Sequence, residues 1–271
     1  MRILCCHNRD LASNLALNML LPALAPHTVR VVLTEQVGRP RTDEPHQRRE
    51  LRIAEQTFPN TVLFPLIERA KLPDTGHRNL TFTEIRELRG IPVDVLAEPN
   101  SAAGLDFIRS FAPDLILSIR YGAILKAAVI GIPPLGVLNL HSGPLPAYRG
   151  ILATFRAMMK QSTEIGCTLH YIRDAGIDTG DIVGIRRVPL QREQSLLRNV
   201  LSVYPAGVEM IRAALQTLEQ GGEVSSSVQE GGEAAYYTWP TAGEWDEFTR
   251  GGWRVADPSD LERVALSYMG A

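Results

Sequence analysis

Arg2-Ile3-Leu4-Cys5-Cys6, followed at once by His7-Asn8-Arg9-Asp10, is an apolar run that ends in polar residues. Leu11 to Leu24 then carries apolar residues at helical spacing and stops at Pro26. Val29 to Leu33 is β-branched and apolar. Strand, helix and strand in that order make a β-α-β unit, the opening of a parallel sheet covered by helices. The expected fold class is α/β.

The same pattern continues outward. The stretch from Gly38 to Arg89 is polar and punctuated by Pro40, Pro45, Pro59, Pro65 and Pro73; a helix is expected from about Pro45 to Gln56 and another from Thr83 to Leu88. Strands are expected at Val93–Leu96, Leu115–Ile119 and Gly136–Leu140, with helices at Ala102–Phe111 and Ile124–Ile130 between them. Beyond these, Thr154–Met159 reads as a helix, and Gly166–Ile172 and Ile182–Val188 alternate as strands. Ser195–Leu218 is a long helical segment with Val208, Ile211, Leu215 and Leu218 on one stripe, divided or kinked at Pro205. The tail from Gly221 is rich in Gly and Ser and holds the aromatics Tyr236, Tyr237, Trp239, Trp245, Phe248 and Trp253; core or a dimer contact is the preferred reading of them.

The 271 residues suffice for one large domain, or for a domain with a small appendage. Twenty-eight Lys and Arg against thirty Asp and Glu give a formal charge of −2, which argues against a dedicated nucleic-acid surface. Arg41, Arg48, Arg49 and Arg52 cluster, but Asp43, Glu44 and Glu50 sit among them, so a solvated helix face is expected. Cys5, Cys6 and Cys167 form neither a disulfide framework nor a metal pattern, and no metal is expected. No apolar run is long enough to span a bilayer, and the polar residues after Cys6 speak against a signal peptide. A cytoplasmic location is expected.

One segment carries chemistry: Leu138-Asn139-Leu140-His141-Ser142-Gly143-Pro144-Leu145-Pro146-Ala147-Tyr148-Arg149-Gly150. It lies where a buried strand ends, and open parallel sheets bind ligands outside the carboxyl ends of their strands. Asn139 and His141 are two apart on a strand, so an amide donor and an imidazole point to the same face. That pair suits a reaction that builds negative charge on a carbonyl oxygen. A second segment, Asp174-Ala175-Gly176-Ile177-Asp178-Thr179-Gly180-Asp181, lies between two strands; its glycines permit a tight loop, and a carboxylate there could orient His141. His170, mid-strand, reads as a packing histidine in preference to a substrate contact. Arg120 is equally readable as a ligand contact or a structural ion pair, and His7 and Asn8 as a surface turn or a site rim.

Asn139-x-His141, Leu145-Pro146-x-Tyr148-Arg149-Gly150 and Gly176-Ile177-Asp178-Thr179-Gly180-Asp181, in this order and spacing, resemble the folate-dependent formyltransferases. That family includes glycinamide ribonucleotide transformylase, methionyl-tRNA formyltransferase and the sugar N-formyltransferases. The resemblance is convincing from Asp114 to Val188. It implies a Rossmann-like, mostly parallel sheet with helices on both faces plus a small C-terminal helical and irregular extension. It divides the chain into a catalytic domain, 1–190, and a tail, 191–271, that serves dimerisation or the substrate side. It implies direct transfer of a formyl group from 10-formyltetrahydrofolate to an amine, with Asn139, His141 and Asp178 catalytic. Tyr121, Gly122, Ala123, Ile124, Leu125, Gly176 and Ile177 would line the folate pocket. Asn8, Ser13, Asn14, Tyr148 and Arg149 would face the acceptor. Many relatives have Ser-Leu-Leu-Pro where this chain has Gly143-Pro144-Leu145-Pro146, a change that bears on folate contacts. About 80 residues follow Val188, and they are not basic, so a small-molecule amine is the expected partner. An amino-sugar nucleotide, or a biosynthetic amino acid or hydroxylamine, comes first. The alternatives are a formyltetrahydrofolate hydrolase and a methionyl-tRNA formyltransferase lacking its usual C-terminal domain. The tail aromatics and the Val208–Leu218 stripe make a homodimer an expectation.

Overall fold

The computed structural model describes residues 1–35, 44–229 and 234–270. The chain opens with β1 (Arg2–Asn8), α1 (Leu11–Leu24) and β2 (Thr28–Thr34). A helical stretch follows: α2 (His46–Arg52), two π-helical turns (Ile53–Thr57 and Pro59–Leu63) and α3 (Phe64–Ala70). Next come α4 (Phe82–Arg89), β3 (Val93–Val95), α5 (Ala102–Phe111), β4 (Leu115–Ile119), α6 (Ala127–Ile130) and β5 (Val137–His141). Then follow β6 (Arg149–Gly150), α7 (Ala153–Met159), β7 (Glu164–Tyr171), β8 (Ile182–Pro189), α8 (Leu196–Ser202) and α9 (Tyr204–Glu219). The chain closes with β9 (Tyr236–Tyr237), α10 (Ala242–Arg250) and α11 (Pro258–Met269).

Seven strands form one sheet in the order β3-β2-β1-β4-β5-β7-β8. The first five run parallel, and β7 and β8 are antiparallel to their neighbours. The sheet is thus mostly parallel and Rossmann-like, with a crevice where the strand order reverses beside β1 and β4. β4 is buried along its whole length, as a strand covered on both faces must be. Ile3, Cys5, Leu17, Leu140, Phe155 and Tyr204 lie in the core on one face, and Leu4, Cys6, Val32, Ile108 and Ile116 in that on the other.

Asp10 starts α1 by accepting from the Ser13 amide at 2.7 Å, and Thr81 and Glu84 make a reciprocal cap for α4. The helix expected to end near Gln56 instead continues to Ala70. Pro59 cannot donate to the helical ladder, and the chain widens into π turns there, with the Asn60 side chain capping the Gln56 carbonyl at 2.8 Å. The helix expected from Ile124 begins only at Ala127, because Asn100 holds the Ile124 carbonyl and the Lys126 amide in an extended entry. The long helix breaks at Val203 into α8 and α9, with Pro205 in the first turn of α9.

Residues beyond 190 share the main core. Trp245 and Phe248, on α10, are fully buried, and Trp245 packs 4.5 Å from Phe155. Val208, Ile211 and Leu215 are buried as well. The stripe and the aromatics from which a homodimer was expected are therefore largely consumed within the chain. Among the described residues, no helix is long and apolar enough to cross a membrane.

Candidate active site

The carboxyl end of β5 delivers Asn139 and His141 to the same face, into a cavity of about 390 Å³. Asp178 reaches the cavity from the loop between β7 and β8, and its carboxylate sits between two imidazoles. Its Oδ2 lies 3.4 Å from His141 Nδ1, and its Oδ1 lies 3.4 Å from His170 Nε2. The Gly150 amide donates to Oδ2 at 2.8 Å. Burial pushes this carboxyl up, but His141, His170 and the Gly150 amide outweigh it and hold it at about 2. Asp178 therefore stays ionised at any physiological pH.

Hydrogen-bond chemistry assigns the protons around it. His170 Nδ1 lies 2.9 Å from the Tyr171 carbonyl, which can only accept, so Nδ1 carries a proton. His170 Nε2 lies 3.0 Å from Asn139 Nδ2 and 3.4 Å from Asp178 Oδ1, and it accepts from Asn139 when it carries no proton. An amide nitrogen has two hydrogens, so Asn139 keeps a second N–H. His141 Nε2 lies 2.6 Å from the Tyr148 carbonyl and so donates to it, while Nδ1 faces Asp178. Both ring nitrogens of His141 meet acceptors, an arrangement that the doubly protonated ring satisfies completely.

The packing reading of His170 is thus refined. The residue is buried, and its packing partners are Asn139 and Asp178 themselves. Antiparallel pairing sets Asn139 opposite His170 in the β5–β7 register. Alternation gave each strand's faces, but only the pairing shows that they share a centre.

The remaining expectations divide. Tyr121, Gly122, Ala123, Ile124 and Leu125 all line the cavity, as do Gly176 and Ile177. Thr34 anchors that loop by accepting from the Gly122 amide at 3.0 Å, and the Tyr121 hydroxyl donates to the Leu96 carbonyl. Asn8, Ser13 and Asn14 do not line the cavity. All three are fully buried: Asn8 bonds Asp10 and Thr34, Ser13 serves the start of α1, and Asn14 accepts from Asn18 and Tyr268. Tyr148 and Arg149 also fall outside it. Tyr148 contributes its carbonyl to His141 and stacks its ring on Tyr237, and Arg149 bonds Gln229. In the Asp178 loop the left-handed residue is Asp178 itself, at φ 55°, not a glycine. Gly180 is required for a different reason: a Cβ there would stand 1.8 Å from the Tyr171 carbonyl oxygen.

Several lining residues were not anticipated. Arg41 and Asp43 lie outside the described residues; Glu44, Arg48 and Arg52 line the cavity, with Arg48 buried and Arg52 exposed as a solvated face would have it. Glu44 pairs with Arg52 at 2.9 Å, and the Arg48 guanidinium lies over the Trp239 ring at 4.0 Å. Tyr236 lines the cavity beside Trp239. Arg120 lines the cavity as well and forms ion pairs, 3.0 Å from Asp10 and 3.0 Å from Glu55. Nothing local in the sequence marks these residues, since each reaches the cavity through tertiary packing. Among the described residues, no cluster of His, Cys, Asp and Glu could hold a metal ion.

A family model described as "Formyl transferase" matches residues 87–204, the stretch that carries Asn139, His141, His170 and Asp178. Residues 87–204 are a formyl transferase domain. A methionyl-tRNA formyltransferase of Chlamydia pneumoniae is 38% identical to the chain over 135 residues, which are 49% of this chain and 41% of that protein. The chain spans about half the length of the curated relatives it matches. An N-formyltransferase from Helicobacter canadensis, solved with folinic acid and dTDP-3-aminofucose, superposes with a TM-score of 0.53 at 17% identity, covering 88% of this chain and 71% of that one. Glycinamide ribonucleotide transformylase 1 from Symbiobacterium toebii gives 0.55 at 15% identity, covering 85% and 94%. At such identities these two structures show a shared fold around the formyl transferase domain.

Proposed function

We propose that this protein is a folate-dependent N-formyltransferase that moves a formyl group from 10-formyltetrahydrofolate to a primary amine. The observation that carries the reading is the convergence of Asn139, His141 and an ionised Asp178 on one cavity wall, beside the loop Tyr121–Leu125. Leu125, Ile124 and Ile177 offer apolar surface for a flat ring, and the backbone of Tyr121–Leu125 offers polar edges, the usual composition of a small-molecule site.

In the proposed mechanism the acceptor amine attacks the formyl carbon, forming the new C–N bond and a tetrahedral oxyanion. The second N–H of Asn139 stabilises that oxyanion, and the His141 imidazolium does so after exchanging its Tyr148 bond for the substrate oxygen. Asp178 orients His141 through its Nδ1. The proton lost by the attacking nitrogen passes through the His141–Asp178 pair to N10 of the folate. The C–N10 bond then breaks, releasing tetrahydrofolate and the formamide. His170 holds the Asn139 amide in register.

For the acceptor, an amino-sugar nucleotide is the first reading, supported by the fold shared with an N-formyltransferase solved with dTDP-3-aminofucose. A biosynthetic amino acid or hydroxylamine stands beside it. The 38% identity to a methionyl-tRNA formyltransferase favours a second reading, formylation of an aminoacyl-tRNA. A cytoplasmic location accompanies either. The test is incubation with 10-formyltetrahydrofolate and a panel of dTDP-amino sugars, amino acids, hydroxylamines and methionyl-tRNA. A mass gain of one CO on one acceptor, with matching tetrahydrofolate release, is expected. Folate consumed without any acceptor gaining mass would replace transfer by hydrolysis.

A further inference from the structure

Asp178 occupies the left-handed region at φ 55°, a conformation that a non-glycine residue keeps with support from its surroundings. The residue that gives this support comes from the tail. Gln229 Nε2 donates to the Asp178 carbonyl at 2.8 Å and to the Gly180 carbonyl at 2.7 Å. Its Oε1 accepts from Arg149 Nη2 at 2.8 Å. Every hydrogen of the Gln229 amide group is thus spent on the backbone on either side of Thr179, and its oxygen is oriented by a guanidinium.

The connection closes on itself. Arg149 precedes Gly150, whose amide holds the Asp178 carboxylate. The same two residues pair in parallel with Tyr236 and Tyr237, so the tail strand runs along the loop that carries Gly150. Ser227 pairs with Ile182 at the start of β8, and this places Gln229 two residues further on, over the Asp178 loop. One amide side chain therefore fixes the backbone of Asp178, while one backbone amide, tied to Gln229 through Arg149, fixes its carboxylate.

We propose that Gln229 is a positioning residue of this site: it latches the Asp178 loop so that the carboxylate stands between His141 and His170, and it makes the C-terminal tail a working part of the centre. The inference deepens the formyltransferase reading, but its main readout does not depend on that reading. The experiment records the ¹⁵N spectrum of the His141 and His170 side chains at neutral pH in the full-length protein. It compares wild type with Gln229→Ala, Gln229→Glu and Arg149→Ala, using Asp178→Asn as the reference for a lost carboxylate. Glutamate cannot donate to the two carbonyls, so both Gln229 variants move the ring-nitrogen signals toward the Asp178→Asn positions. Arg149→Ala moves them the same way by less, and it carries the test if a Gln229 variant fails to fold. Turnover of 10-formyltetrahydrofolate falls on the order of 10- to 100-fold in folded Gln229→Ala, with little change in KM for the folate, as expected when a catalytic group is misplaced by about 1 Å. Histidine spectra of the folded variants that superpose on wild type would overturn the proposal. Shifted spectra in a protein that formylates nothing would leave the latch standing and remove only the proposed activity.

Discussion

Gly143 sits against His141, and the structure says what a side chain would do there. A Cβ on Gly143 would lie 2.5 Å from Ala153 Cβ, 2.8 Å from His141 Nε2 and 3.1 Å from the Tyr148 oxygen. Carbon contacts relax at about 3.5–4.0 Å, so the methyl of Gly143→Ala overlaps Ala153 by about 1 Å and the imidazole by nearly as much. Ala153 is buried at the start of α7, and the Tyr148 oxygen is backbone, so neither retreats easily. The imidazole gives way, losing its 2.6 Å bond to Tyr148 and its alignment with Asp178. Overpacking of this kind costs about 1–3 kcal/mol of stability, and a displacement of about 1 Å in a catalytic group costs up to about 10²-fold in rate. The expected outcome is a fall in kcat of roughly 10- to 100-fold at saturating 10-formyltetrahydrofolate, with a lowered urea midpoint. Gly143→Ser, which adds the same Cβ, fails in the same way. A Gly143→Ala protein with kcat within about twofold of wild type would refute the claim that this glycine makes room for His141.

Other expectations follow from the same geometry. Asn139→Ala lowers kcat by about 10²–10³, the usual effect of removing an oxyanion donor, with thermal unfolding little changed; steady-state kinetics and calorimetry check both. Asp178 is held at about 2 against 3.8 ordinarily, so it contributes about 2 kcal/mol of stability above pH 4 that is lost as pH falls through 2. Urea titrations at a series of pH values should show that part of the acid slope missing in Asp178→Asn. Burial lowers His7 to about 4, with Asp10 opposing weakly, so the native state resists a proton that the unfolded chain accepts near 6.5. Stability therefore declines as pH drops from 6.5 toward 4, by about 3 kcal/mol from this group, and His7→Phe should flatten that segment of the curve. Trp245→Ala costs about 3–5 kcal/mol in denaturant unfolding, because Trp245 is fully buried against Phe155 in the main core; a loss under about 1 kcal/mol would contradict that.

What could be read from the sequence follows the range over which each residue acts. The limits of α1, α5 and β4 came out residue for residue, since periodicity, a stop at Pro26 and Pro113, and a wholly apolar strand are local signals. Asn139 and His141 were legible because two-residue spacing on a strand fixes a shared face. Asp178 needed the family pattern, since nothing local says that the loop after β7 folds back on β5. The helical stretch through Pro59 and Pro65 was missed because prolines usually end a helix, and here π turns absorb them. Asn8, Ser13 and Asn14, expected to face the acceptor, lie away from the cavity because their polar groups are spent on the start and packing of α1. Gln229, Arg48 and Trp239 carry no signal short of the tertiary fold.

The two walls of the cavity have different origins, and this bears on what the site can evolve to accept. Asn139, His141, His170 and Asp178 sit on or beside two neighbouring strands inside the formyl transferase domain, 87–204. Glu44, Arg48, Arg52, Glu55, Tyr236 and Trp239 line the same cavity from outside that stretch. The Arg120–Glu55 pair at 3.0 Å ties the helical wall to the loop that begins the proposed folate pocket. Substitutions on the helical wall can therefore reshape the cavity while Asn139 and His141 keep their strand-fixed geometry, because a strand face does not depend on which helix covers the cavity opposite it. The tail differs, since it supplies Trp239 to the outer wall and Gln229 to the Asp178 loop. A change of cavity shape made through the tail must preserve the Gln229 contacts with Asp178 and Gly180, whereas one made through residues 44–56 is free of that constraint.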